Sequence, residues 1–128
     1  MAYLHYAQQM KLRIISLTMI ALVSLALAPA PARAASATVK ATASDEWTPE
    51  IRRIEPGDRI VWKNPTEATH NIVGYGSNWS LDRWLYAGDT FSKRFPAKGT
   101  YRYRCSIHSS KQDGPCDGMC GVIRVVRP

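Results

Sequence analysis

The sequence predicts an all-β domain, a sandwich or barrel of about seven to eight short strands behind an export segment. Three observations carry this. Apolar and polar residues alternate in short runs, Gly- and Pro-bearing turns separate those runs, and no stretch shows an amphipathic period of convincing helix length. There are no repeats, low-complexity tracts or internal linkers.

Taken in order, Ala37 to Ala43 alternates around Val39. Glu55-Pro56-Gly57-Asp58 is a turn, since Pro presets one backbone angle and Gly supplies the positive one. Arg59 to Lys63 follows, with Ile60 and Trp62 on one face and Val61 on the other. His70-Asn71-Ile72-Val73 is a further strand, ended by Gly74-Tyr75-Gly76. Asn78 to Trp84 reads as a turn or two of helix. Thr90 to Phe95 places Phe91 and Phe95 on one face. Lys98-Gly99 is a tight turn into Tyr101-Arg102-Tyr103-Arg104-Cys105, and Gly121 to Arg127 closes the chain. Tyr101, Tyr103, Trp62 and the phenylalanines read as packing. Lys93, Arg94, Arg102 and Arg104 read as solvated strand faces.

Residues 1–34 read as a secretory signal peptide. Met10-Lys11-Leu12-Arg13 gives a basic start and makes Met10 an alternative initiator. Ile14 to Ala28 is a largely apolar run of 15 residues, and Ala32-Arg33-Ala34 has the small-x-small form of a cleavage site. A membrane span needs about 20 residues, so export is favoured over anchoring; uncleaved, the segment would associate the chain with a membrane. Residues 35–128 then form a single periplasmic or extracellular domain with a loose start over Ala35 to Thr38. Losing Lys11, Arg13 and Arg33 lowers the formal charge from +7 to +4. That charge is too weak and too evenly spread to argue for nucleic acid.

The mature stretch keeps only two histidines, His70 and His108, and one methionine, Met119. Its three cysteines are Cys105, Cys116 and Cys120. Cys105, His108 and Met119 fall within fifteen residues, and His70 lies upstream in a separate strand. A thiolate, two imidazoles and a thioether are what a mononuclear electron-transfer copper site needs. Each residue has a plainer reading. His70 could be a strand-end histidine, Met119 a core gap-filler, and Cys105 half of a structural disulfide with Cys116 or Cys120. A lone C-x-x-H pair also suits zinc or haem, and Asn78-Trp79-Ser80 fits a glycosylation acceptor.

Gly57-Asp58-Arg59-Ile60-Val61-Trp62-Lys63-Asn64, His70-Asn71-Ile72-Val73, Gly99-Thr100-Tyr101-Arg102-Tyr103-Arg104-Cys105 and Gly118-Met119-Cys120-Gly121-Val122-Ile123 resemble the cupredoxins, within them the plastocyanin and amicyanin group. The resemblance spans about Ile51 to Val126. It implies a Greek-key β-sandwich carrying one type 1 (blue) copper ion. His70, Cys105 and His108 would form the strong plane and Met119 the weak axial position. Asn71 matches the position that braces the ligand loop beside the cysteine sulfur, and His108 would be the exposed electron port.

Two departures stand out. Ten residues, Ser109 to Gly118, separate His108 from Met119 where the family leaves only a few, so Met119, Gln112 or water could fill the axial position. Arg104 replaces the aromatic residue that often precedes the cysteine, which removes an electron route through that ring. Cys116 and Cys120 bracket Met119, and a disulfide between them would pin the end of the long insertion beside the metal.

The expected function is an extracytoplasmic carrier that cycles Cu(II)/Cu(I) between redox partner proteins. It would act as a monomer, with no small-molecule substrate and no nucleic acid. The alternative is a copper-binding carrier or storage protein that delivers the ion. An enzyme is disfavoured, because a second copper centre would need histidines this stretch does not have.

Overall fold

Among the described residues nine strands form two facing sheets, one of four strands and one of five. The computed structural model describes residues 33–110 and 115–127. The expected signal peptide, its start at Met10 and the axial alternative Gln112 therefore lie outside the described residues, apart from Arg33 and Ala34.

The first sheet contains β1 (Ser36–Ala41), β2 (Trp47–Thr48), β4 (Arg59–Lys63) and β7 (Thr90–Arg94), in the order β2-β1-β4-β7. The second contains β3 (Ile51–Ile54), β5 (His70–Tyr75), β6 (Leu81–Leu85), β8 (Gly99–Ser110) and β9 (Asp117–Val125), in the order β3-β9-β8-β5-β6. Most pairs are antiparallel, but β1 runs parallel to β4 and β3 parallel to β9. Chain neighbours are therefore often not sheet neighbours, as a β-sandwich with long crossovers requires.

The inward positions form one core. Val39, Ile60 and Trp62 of the first sheet meet Ile72, Tyr103, Ile123 and Val125 of the second, all at or below 1% exposure. Trp62 sits at its centre, edge-on to Tyr103 at 5.5 Å and stacked near Phe91 at 6.0 Å. Tyr103 lies over Gly121, where any Cβ would collide with its ring, so that position accepts only glycine. Burial pushes the Tyr103 phenol well above its ordinary range. The aromatic residues are packing, as expected.

Three expectations change. Asn78 to Trp84 is not helical, and no helix occurs among the described residues. Leu81–Leu85 instead pairs with β5, from Gly74↔Leu81 to His70↔Leu85. Residues 36–38, expected to be loose, pair with 59–61 of β4. The Ala35 N–H also donates to Asp58 Oδ1 at 2.8 Å. Finally, β2 and β3 are strands that alternation did not reveal.

Candidate metal centre

The ladder between β8 and β9 is where the site is made. Arg104 pairs with Cys120 and Ser109 with Gly118, so four residues of β8, Cys105 to His108, stand against Met119 alone. This is a large bulge of four residues against one, the device by which a strand re-aims side chains without leaving its sheet. His108 thus lies within β8, because Ser109 and Ser110 resume pairing with Gly118 and Asp117. The two described ends of the long insertion are correspondingly paired with each other. Gly118 makes the closure possible: its φ is +87°, and a Cβ there would lie 2.5 Å from the His108 carbonyl oxygen.

His70 arrives from the first residue of β5, fully buried. Its Nδ1 lies 3.1 Å from His108 Nδ1 and 4.0 Å from Cys105 Sγ, and Cys105 Sγ is 3.5 Å from His108 Nδ1. All three donor atoms fall within 4.8 Å of one another. Cys105 is buried and free, so it does not form the alternative disulfide. Cys116 and Cys120 are bonded to each other, with Cα atoms 6.1 Å apart. Met119 faces the bulge from the inward side of β9 and is fully buried.

Asn71 ties the two ligand strands together. The β5–β8 ladder reaches Val73↔Arg104. Beyond it, the Ser106 N–H donates to Asn71 Oδ1 at 2.7 Å, and Asn71 Nδ2 donates to Ser106 Oγ at 2.8 Å. The Asn71 N–H points at Cys105 Sγ from 3.5 Å. One side chain thus carries the strand pairing into the bulge while the backbone N–H faces the sulfur.

Sequence reasoning did not find the group that fixes His70. Thr66 Oγ1 donates to Asn64 Oδ1 at 2.7 Å, so its lone pair is left to accept from His70 Nε2–H at 3.0 Å. That places the proton on Nε2 and the free lone pair on Nδ1, facing the cluster. Burial lowers the His70 pKa and His108 lowers it further, against an upward pull from Asp45; the neutral, ligating imidazole is therefore favoured. Asn64, itself buried, donates to the carbonyls of Ala68, Leu85 and Tyr86. The only signal in the sequence was the Asn64-Pro65-Thr66 turn. Ser109 was also missed; its hydroxyl donates to the Cys105 carbonyl, while Arg104 Nη1 donates to Ser109.

On the outside, His108 keeps 25% of its side-chain surface and lies beside exposed Ile107. Two imidazoles and a thiolate, gathered at one end of a β-sandwich, define a mononuclear metal site suited to type 1 copper. No protein-family model matches the chain. Plastocyanin of Vicia faba is 30% identical over 91 residues, covering 62% of this chain and 86% of that protein. Amicyanin-alpha of Methylorubrum extorquens is 36% identical over 65 residues, covering 48% of this chain and about half, 54%, of that protein. A purple cupredoxin from Nitrosopumilus maritimus shares the fold with a TM-score of 0.55 at 23% identity, over 70% of this chain and 99% of that one. The chain belongs to the cupredoxins, in their plastocyanin-like branch.

Proposed function

We propose that this chain is an extracytoplasmic one-electron carrier, serving redox partner proteins as a monomer, with His70, Cys105 and His108 holding one copper ion and Met119 as axial ligand. The observation that carries the reading is the bulge, which gathers the three donors within 4.8 Å directly opposite Met119. A thiolate and thioether favour Cu(I) while imidazole suits both oxidation states, so the bound ion would supply reversible one-electron chemistry.

The chain's own residues prepare for that exchange. Asn64 and Thr66 hold His70 in one tautomer, and Asn71 with Ser106 holds the cysteine strand. Side chains fixed in this way need not move when the charge on the site changes. The Cys116–Cys120 bond closes a short ring around Met119, and its role is to hold the insertion's returning limb in place. His70, Cys105 and Met119 are buried away from water, while His108 and Ile107 reach the surface. We include cleavage after Ala34 and release outside the cytoplasm in the proposal; N-terminal sequencing of the secreted protein checks both.

The decisive experiment is a titration of residues 35–128 with Cu(II), followed by visible and EPR spectra, alongside His70→Ala and Met119→Leu. An intense blue to purple charge-transfer band that saturates at one equivalent and vanishes in His70→Ala is expected. Retention of the band with altered EPR parameters in Met119→Leu assigns the axial role. A pale copper spectrum from the unaltered protein would sink the reading in favour of copper carriage or storage.

A further inference from the structure

Asp45 lies in the turn between β1 and β2, and the electron-carrier reading gives it no task. Its backbone is left-handed, with φ 54°, a conformation that Asp and Asn tolerate better than most residues. The turn around it is closed. The Asp45 N–H donates to the Thr42 carbonyl at 3.2 Å, the Thr42 N–H to the Glu46 carbonyl at 3.0 Å, and the Glu46 N–H to Thr42 Oγ1 at 3.1 Å. Trp47, two residues further on, packs its ring 6.1 Å from that of His70. The turn is thereby fixed against one histidine while its carboxylate approaches the other.

Asp45 Oδ1 lies 3.6 Å from His108 Nδ1, the nitrogen that also faces His70 Nδ1 and Cys105 Sγ. It is the only carboxylate within 4.0 Å of a basic or imidazole nitrogen among the described residues, in a chain whose basic side chains outnumber its acidic ones. Its side chain is 46% exposed, so water screens the carboxylate only in part. Yet Asp45 is not among the groups whose donor atoms lie within 4.8 Å of one another. It stands beside the cluster as a charge and not within it as a ligand.

We propose that Asp45 sets the redox balance of the site: its carboxylate favours the more highly charged oxidation state of a metal held by His70, Cys105 and His108. The inference rests on the copper reading above and assigns a positioning charge that the reading does not require. A unit negative charge this close to the donor atoms attracts a doubly charged ion more strongly than a singly charged one. Removing it therefore weakens Cu(II) binding more than Cu(I) binding.

The test is a spectroelectrochemical titration of the copper-loaded protein with Asp45→Asn, Asp45→Gly and Asp45→Glu. Asp82→Asn, on exposed edge strand β6, serves as the distant charge control. Asn and Gly both accept the left-handed backbone, so the turn survives in each, and far-UV circular dichroism verifies it. Both are expected to cut the preference for Cu(II) over Cu(I) by about tenfold, a rise of ~59 mV for a one-electron couple. Asp45→Glu should restore most of the original value. The proposal is overturned if Asn and Gly move the potential no further than Asp82→Asn does while the blue spectrum stays intact. An unaltered protein without that spectrum would overturn the copper reading and this inference together.

Discussion

The two histidines of the site are held in opposite ways. His70 is fully buried, with its Nε2 fixed by Thr66 and, through it, by Asn64. His108 rides on the bulge, a quarter exposed, with Asp45 Oδ1 3.6 Å from its Nδ1. The difference teaches that the site divides its labour. The inner half is a rigid template whose hydrogen bonds end in backbone carbonyls of β6 and its following turn. The outer half is where charge and neighbouring surface can reach the metal.

The sharpest way to break this contrast is at the atom both halves share. Cys105→Ser should abolish the intense blue absorption completely, since serine offers no soft thiolate, and a visible spectrum at one equivalent of Cu(II) decides it. Next in size is Asn64→Ala, which leaves three carbonyls and the Thr66 hydroxyl without their partner. Urea unfolding of the copper-free protein should show a loss of about 3 kcal/mol. Thr66→Val keeps the shape but removes the acceptor for His70 Nε2–H, and copper affinity should fall about tenfold in a competition assay. The smallest effect belongs to the outer half. Ile107→Ala should change stability by no more than about 0.5 kcal/mol, as exposed side chains usually do. A larger loss there would mean that the outer half is braced as well.

The sequence made the donor set legible because scarcity left few choices, and alternation made β4 and the body of β8 legible. Other elements were hidden for physical reasons. In β6, Leu81, Trp84 and Leu85 recur at helical spacing. The strand's Arg83 hides the true alternation, for its guanidinium lies over the Phe91 ring at 5.5 Å. In β3, Ile51-Arg52-Arg53-Ile54 shows no alternation to read. The bulge could not be read either. It exists only as a mismatch between pairings on two strands, Arg104↔Cys120 and Ser109↔Gly118, and register is a property of the folded sheet. For the same reason the ten-residue insertion counted against Met119 in the sequence, whereas in the fold its two limbs pair. Asp45 and Thr66 were missed because each acts on a histidine from a turn whose course the sequence does not specify.

The closure of that hairpin has a consequence for engineering. Ser110 pairs with Asp117, and Ser109 with Gly118, before the chain reaches the donors. The ladder therefore works as a clasp between the donors and the stretch of chain that joins Ser110 to Asp117. Foreign sequence introduced beyond Ser110, whether a peptide epitope, a dye-labelling tag or a tether to an electrode, would enter and leave through this paired ladder rather than through the donor cluster.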